Sequence, residues 1–273
     1  SDPSSPTLTG NYDTSGRAYD VAVSGNYAYV ADRLDGLDII DISDPSSPTL
    51  TGNYDTSDRA SGVAVSGNYA YVADYNHGLD VIDISNPASP TLTGNYDTSG
   101  QAYDVAVSGN YAYVADGDDG LDIIDISDPS SPTLTGNFNT SGVAVDVAVI
   151  GNYVAVADGN DGLVIIGVSD PSSPYLAGNF DTSGSAFGVA VSDFGGEYAY
   201  VADDADGLDI IGEFRPSPKV TSSTDDVRAA SPIVIPFGGE PLAVLLMLGC
   251  GSYALKKRGR QLSNSAKNSE RNS

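Results

Sequence analysis

One short segment returns at a fixed interval, and this repetition constrains the fold more than any other feature. The segment Asp2-Pro-Ser-Ser-Pro-Thr-Leu recurs in closely similar form from Asp44, Asn86, Asp128 and Asp170, every 42 residues. A period of 20–50 residues indicates an array of similar units that bury a shared core by stacking. The fifth unit differs in carrying three additional residues around Asp193–Gly196.

Each repeat contains four short runs of strand-forming residues separated by turn signals. In the first repeat these runs are Pro6–Asn11, Tyr19–Val23, Tyr27–Val30 and Leu37–Ile42, with Gly, Asn and Asp between them. The runs have no helical period, which argues against a helical solenoid, and the repeat is too long for a coil of a parallel β-helix. Four strands in such a unit are typical of a propeller blade. We therefore predict an all-β fold over residues 1–212, a five-bladed β-propeller of four-stranded antiparallel blades.

The order of the runs predicts how the array closes. In a propeller the innermost strand usually comes first in a blade, and we assign the run around Val21 to that position. The chain then begins with an outermost strand and ends, at Leu208–Ile211, with a third strand. We expect the N-terminal strand to complete the last blade, because closure hides open sheet edges. A fragment of a longer array would show the same order and number of strands.

Charge is distributed very unevenly along the chain. Residues 1–212 hold 32 acidic and 3 basic residues, a net of −29, whereas residues 213–273 hold 5 acidic and 9 basic residues, a net of +4. An array this acidic repels phosphate groups, so we expect no nucleic-acid partner. It favours solubility and attracts cations. Cys250 is the single cysteine, so the chain can form neither a disulfide framework nor a cysteine metal site.

Propeller topology places two sets of Asp-rich loops on one side of the array, which we call the acidic face. Asp and Gly suit tight turns, where an Asp side chain bonds nearby backbone amides. Carboxylate clusters are also the ligands that calcium prefers. The candidate calcium ligands are Asp32, Asp35, Asp116, Asp118, Asp119, Asp158, Asp161, Asp203 and Asp206, of which the loop Asp116–Gly120 is the best. Asp20, Asp104 and Asp146 head three inner strands and could hold an ion or bond backbone amides.

Differences among the repeats concentrate at the loop tips of the acidic face. The strands barely vary, whereas the tips that hold Arg17, Arg33, Arg59, Tyr75 and His77 differ from repeat to repeat. Varied loops on a constant scaffold are typical of a binding surface. Drift at unconstrained turns would give the same pattern.

Catalytic chemistry has little support in the sequence. His77 is the only histidine and occupies a turn where other repeats have Asp, so no Ser–His–Asp set or histidine metal cluster can form. We therefore expect a protein that is not an enzyme. The alternative is a glycosidase-like hydrolase that uses Asp carboxylates of the acidic face. It would need a deep central pocket and a carboxylate pair out of step with the repeat.

The composition changes after the repeats. Residues 213–231 form a polar linker, and residues 232–260 contain an uncharged apolar run from 242 to 255 followed at once by basic residues. We predict a single apolar helix there, although 14 residues fall short of the roughly 20 that span a membrane. Basic residues favour the cytoplasmic side, which would leave the repeats outside. Residues 261–273 form a polar tail.

The repeats and the tail each resemble a known family. Ala18–Asp32 followed by Gly36–Ser43 resembles the blade of the LVIVD repeat family, and the resemblance extends over residues 1–212. It implies a β-propeller common in bacterial and archaeal surface proteins, with no known catalytic residues. The tail resembles a PEP-CTERM-type sorting signal through Glu240, Pro241, Lys256, Lys257 and Arg258, with Gly239 in place of the expected proline. That resemblance implies export and removal of the tail; the alternative is a membrane anchor that is never cut.

These features together predict an exported protein of the cell surface or extracellular space. We expect a non-catalytic binding or structural module, with calcium as the one cofactor that the sequence suggests. Its partner would be a protein or glycan of the cell envelope. The C-terminal helix would contact the membrane before any processing.

Overall fold

The structure, a computed structural model, describes residues 3–192, 198–204, 207–212, 236–237 and 240–241. The chain divides into two compact units, Ser1–Pro218 and Lys219–Ser273. The first unit contains five antiparallel sheets, one per repeat, and we call them blades 1 to 5. No helix occurs among the residues described in that unit. The predicted all-β repeat structure is therefore confirmed in a propeller-like form.

Strands of each blade pair in chain order. Blade 1 consists of β1 (Asp20–Ser24), β2 (Tyr27–Ala31), β3 (Leu37–Asp41) and β4 (Thr49–Tyr54). Blades 2 and 3 follow as β5 (Gly62–Ser66), β6 (Tyr69–Ala73), β7 (Leu79–Asp83), β8 (Thr91–Tyr96), β9 (Asp104–Ser108), β10 (Tyr111–Ala115), β11 (Leu121–Asp125) and β12 (Thr133–Phe138). Blades 4 and 5 contain β13 (Asp146–Ile150), β14 (Tyr153–Ala157), β15 (Leu163–Gly167), β16 (Tyr175–Phe180), β17 (Ala186–Ser192), β18 (Tyr198–Asp203) and β19 (Gly207–Gly212).

Glycines set the shape of each blade at two places. Gly25, in the two-residue loop between β1 and β2, has a φ of 59°, which suits the first position of a tight hairpin turn. Gly52 follows a bulge where β4 shifts its register against Ile39 and Ile40. A Cβ atom on Gly52 would lie 2.2 Å from the carbonyl oxygen of Pro87 in the next repeat. The recurring Thr-Gly-Asn-Tyr sequence therefore lets the outer strand pack closely against a proline turn.

The apolar core lies between successive blades. Between blades 1 and 2, for example, Leu37 and Ile39 of β3 pack with Val63 of β5 and Val72 of β6. Equivalent clusters join blades 2 and 3, blades 3 and 4, and blades 4 and 5. The second and third strands of each internal blade, such as β6 and β7, are thus almost wholly buried, which explains why they are mainly apolar.

The two ends of the array expose the residues that are buried inside it. Val21 of blade 1 is 56% exposed, whereas its equivalent Val63 is 5% exposed. Leu208 of blade 5 is 61% exposed, whereas its equivalent Leu37 is fully buried. Blade 5 has three strands among the described residues, and residues 3–14 form no strand. The expected completion of blade 5 by the N-terminal segment is not seen in this part of the chain.

The N-terminal segment nevertheless lies where an outer strand belongs. A Cβ atom on Gly10 would meet the carbonyl oxygen of Pro45 at 2.1 Å, as one on Gly52 would meet Pro87. Thr14 and Gly16 donate hydrogen bonds to Asp32, at 3.3 and 2.8 Å, in the manner of the later repeats. The segment therefore contacts blade 1 as the outer strand of a preceding blade would.

The second unit has little described structure. Strands β20 (Pro236–Phe237) and β21 (Glu240–Pro241) pair in antiparallel fashion. The predicted linker over 213–231, the apolar helix over 242–255, the basic residues Lys256, Lys257 and Arg258, and the polar tail lie outside the described residues. Within the described parts of the chain, no helix has the length and apolar character needed to cross a membrane.

Candidate functional site

A buried Asp lies at the end of the second strand of each blade, on the acidic face. Asp116 in blade 3 accepts a hydrogen bond from the Thr98 hydroxyl at 2.6 Å and one from the Gly100 amide at 2.8 Å. Asp32 and Asp158 are buried in the same way and accept equivalent bonds. Burial is the main cause that raises the pKa of Asp116, and these two donors oppose it. These carboxylates hold the loop that enters each inner strand.

A second buried carboxylate lies within the third strand, a position that the sequence analysis did not single out. Asp122 of β11 accepts a hydrogen bond from the Asn137 side chain of β12 at 2.8 Å. Asp38 and Asp80 have the same partner type in their own blades. Burial raises the pKa of Asp122 to about 6. A recurring Asp in an otherwise apolar strand, with Asn in the next strand, was the available signal.

The candidate calcium ligands occupy different environments. Asp32, Asp116, Asp158 and Asp203 are buried, and Asp206 lies outside the described residues. Asp119 accepts a short hydrogen bond from the Ser99 hydroxyl at the loop tip. Among the described residues, Asp116, Asp118 and Asp119 do not form a group of three with ligand atoms within 4.8 Å. Calcium binding at Asp35, Asp118, Asp161 and their neighbours stays a prediction.

The carboxylates that head the inner strands link one blade to the next. Asp20 accepts a hydrogen bond from the Val63 amide at 2.8 Å, and Asp146 accepts one from the Val189 amide at 2.6 Å. Asp104 accepts one from Val147 in the same way, at 3.1 Å. Burial and the adjacent Asp146 carboxyl raise the pKa of Asp104 well above its usual range. These hydrogen bonds from backbone amides support a structural role for Asp20, Asp104 and Asp146 over an ion site.

The varied loop tips also take part in contacts between blades. Arg33 and Tyr75, both with positive φ, form isolated backbone bridges to Ala60 and Ala102 of the following blades. The Arg59 guanidinium lies 4.8 Å from the centre of the Tyr75 ring. That ring meets Tyr103 edge-on, with 5.5 Å between centres. Arg17 is exposed without such a contact among those described.

Blade 2 brings three potential metal ligands together. The Nδ1 atom of His77 lies 3.6 Å from an Asp80 carboxylate oxygen and 3.9 Å from one of Asp74. One ligand atom from each residue falls within a 4.8 Å group, the one such group among the residues described. His77 was predicted as a binding tip and Asp74 lies among the Asp residues of the acidic face, but the approach of His77 to Asp74 and Asp80 was not predicted. Burial raises the pKa of Asp74 to about 6.

A groove of about 520 Å³ lies beside the outer strands of blades 3 and 4. Its lining includes Phe138, Thr140, Asp161, Asn179 and Asp181. The two carboxylates occupy positions that recur as Asp35 and Asp55 in the first repeats. The groove is therefore built from regular parts of the repeat.

The chain is similar to known proteins in its repeats and in its fold. A family model described as LVIVD repeat matches residues 1–14, 15–56, 58–98, 99–140, 141–182 and 183–212. A crystal structure of the computationally designed Ika8 protein has a TM-score of 0.54 and 9% identity, covering 77% of this chain and 75% of that chain. The computationally designed Ika4 protein reaches 0.48 and 12% identity, over 58% and 93% of the two chains. No curated protein matches this chain significantly. The likeness to Ika8 concerns the fold alone.

Proposed function

The chain belongs to the LVIVD repeat family, and on that premise we propose that it is an exported, non-catalytic binding module of the cell surface or extracellular space. Its contacts with a protein or glycan of the cell envelope are made by the acidic face. The single observation that carries this proposal is the combination of constant blades with varied tips on one face. Binding proteins commonly present variable loops on a rigid scaffold.

Charge and chemistry on that face support the proposal. Its buried Asp residues are occupied by hydrogen bonds within each blade, so they serve the scaffold and leave the tips free to differ. Asp118 is exposed and Asp35 and Asp161 are half-buried at the tips, where calcium could bridge them to an acidic partner. A strongly negative array repels nucleic acid.

We also propose that the array closes through its own N-terminal segment into a five-bladed ring. The end faces consist of residues equivalent to those of the internal interfaces, and blade 5 lacks an outer strand while residues 7–12 have an outer-strand sequence. Burial of Val21, Leu208 and Ile210, each more than half exposed, would contribute about 3–5 kcal/mol in total.

A disulfide trap tests closure. The register between β3 and β4 pairs Asp38 with Asn53, which corresponds to Asp209 and Asn11 at the ends. The variant Asn11→Cys/Asp209→Cys, made with Cys250→Ser, should oxidise to a monomer with an internal disulfide. Disulfide-linked dimers would assign the pairing to a second copy, and persistent free thiols would refute pairing of the ends.

We further propose that the tail acts as a sorting signal, through Glu240, Pro241 and the basic residues Lys256, Lys257 and Arg258, and that the repeats lie outside the membrane. Antibody against the repeats should label intact source cells. The mature protein should lack residues 256–273 by mass spectrometry. Labelling only after lysis would refute export, and a mass that includes the basic residues would refute removal of the tail.

A further inference from the structure

Two departures from the repeat meet in blade 2. Asp58 stands where the other repeats have Gly16, Gly100, Gly142 and Gly184, and His77 stands where they have Asp35, Asp119, Asp161 and Asp206. Both residues adjoin Asp74, since the Asp58 amide donates to its carboxylate at 2.9 Å and His77 lies 3.9 Å away. Blade 2 therefore differs in chemistry from its neighbours at one place.

The three side chains around this place combine burial with access. Asp74 and Asp80 are buried, whereas the His77 side chain is 42% exposed and lies over both carboxylates. Nδ1 of His77 lies 3.6 Å from an Asp80 oxygen and 3.9 Å from an Asp74 oxygen, and one ligand atom of each residue falls within 4.8 Å of the others. Zinc bonds of about 2.0–2.1 Å place neighbouring ligand atoms slightly closer together than this. An ion bound here would draw the three ligand atoms slightly inward and leave one position for water.

The Asn95 side chain holds the Asp80 carboxylate and the backbone of His77 in place. Its amide nitrogen donates to an Asp80 carboxylate oxygen at 2.8 Å and to the His77 carbonyl at 2.9 Å, and lies 3.1 Å from Nδ1 of the ring. The carboxylate and carbonyl fix which end of the amide carries the hydrogens. These two acceptors account for both hydrogens of the amide, so Asn95 fixes the Asp80 carboxylate and leaves Nδ1 available to an ion.

The hydrogen bonds around Asp74 differ from those around the equivalent carboxylates of blades 3 and 4. In blades 3 and 4, Thr98 and Thr140 each donate to the equivalent Asp at 2.6 Å. The buried Thr56 hydroxyl lowers the pKa of Asp74 but does not reach that hydrogen-bond geometry, and the equivalent Thr182 of blade 5 does not reach it either. The Asp58 amide, at 2.9 Å, is therefore the firmest donor to the Asp74 carboxylate.

We propose that Asp74, His77 and Asp80 bind a divalent transition metal ion of the zinc class, with water as the remaining ligand. One imidazole and two carboxylates suit zinc, whereas calcium and magnesium prefer oxygen ligands alone. Because the other blades have Asp at the position of His77, this site is restricted to blade 2. The proposal concerns an ion held within the blade, and it stands apart from the surface-binding role proposed above.

The single histidine makes the test unambiguous. In full-length protein labelled with ¹⁵N-histidine, the imidazole signals report His77 alone. One equivalent of zinc should shift the Nδ1 signal, and millimolar calcium should leave it in place. Imidazole signals that do not move at saturating zinc would overturn the proposal.

A matched variant separates this site from weak binding by surface carboxylates. His77→Asp restores the residue of blades 1, 3 and 4, so the fold is expected to remain intact. Zinc affinity measured by calorimetry should fall at least about tenfold, and the zinc-dependent rise in melting temperature should disappear. Equal zinc affinity in the two proteins would refute the assignment.

Discussion

Buried carboxylates should make this protein more stable in mild acid than at neutral pH. Asp122 illustrates the size of the effect, because burial raises its pKa from 3.8 to about 6. A folded pKa above the unfolded value means that the folded state holds the proton more tightly, so stability falls as the pH rises between these values. A shift of this size is worth about 3 kcal/mol, of which about 2 kcal/mol is lost between pH 4.5 and 7.5.

Other carboxylates change the total in predictable directions. Burial also raises the pKa of Asp74, to about 6, and of Asp38, Asp80, Asp116 and Asp158. Asp41, at the end of β3, and the exposed Asp128 have a pKa lowered by hydrogen bonds from Ser43 and Ser130, so their contribution is lost only in stronger acid. The free energy of unfolding should therefore decrease from pH 4.5 to pH 7.5.

Urea unfolding of the full chain at the two pH values measures this decrease. Asp122→Asn keeps the shape of the side chain and an acceptor for Asn137, but it removes the titration. The variant should lose about 2 kcal/mol of the pH dependence. Stability that is equal or greater at pH 7.5 in the natural protein, or an unchanged pH dependence in the variant, would refute the reasoning.

Further substitutions test the packing and the buried polar pairs. Leu121→Ala, in the core between blades 3 and 4, should destabilise the protein by about 2–5 kcal/mol in urea unfolding. Gly94→Ala should cost about 1–3 kcal/mol, because its Cβ atom would lie 2.4 Å from the Pro129 carbonyl oxygen; a neutral effect would contradict the close approach. Asn137→Ala should cost about 1–3 kcal/mol at pH 7.5, because Asp122 loses its donor, and less at pH 4.5; equal costs at both values would exclude a charged Asp122 as the cause.

The repeat made the blades predictable because local and global signals agree. The Ser-Gly-Asn turns are hairpins, as at Gly25 between β1 and β2, and the runs around Val21, Tyr27 and Leu37 became strands of one sheet in the expected order. Because the spacing is constant, each repeat folds into a sheet with the same strand order. In the described part of the chain, blades 1 and 5 each have a neighbouring blade on one side only, so the repeat pattern could not determine what their exposed faces contact.

The chemistry of the acidic face was less predictable than the fold. The sequence identified Asp32 and Asp116 as polar loop residues, but not that their carboxylates are buried and satisfied by Thr and Gly donors. Asp80 stands in an apolar strand, and its approach to His77 depends on the turn between them. Such contacts arise from backbone geometry in three dimensions, which residue spacing indicates only when the fold is already known.

Binding to isolated envelopes of the source cells tests the proposed role of the acidic face most directly. A suitable variant replaces three tips with residues that blade 3 carries at the same positions, as Arg33→Gly, Arg59→Gln and Tyr75→Gly. Blade 3 shows that the scaffold accepts Gly117 and Gln101 there. The account predicts saturable binding of the natural chain and at least about tenfold weaker binding of the variant, as expected when central contact residues are lost. Equal binding of the two proteins, or no binding of either, would contradict it.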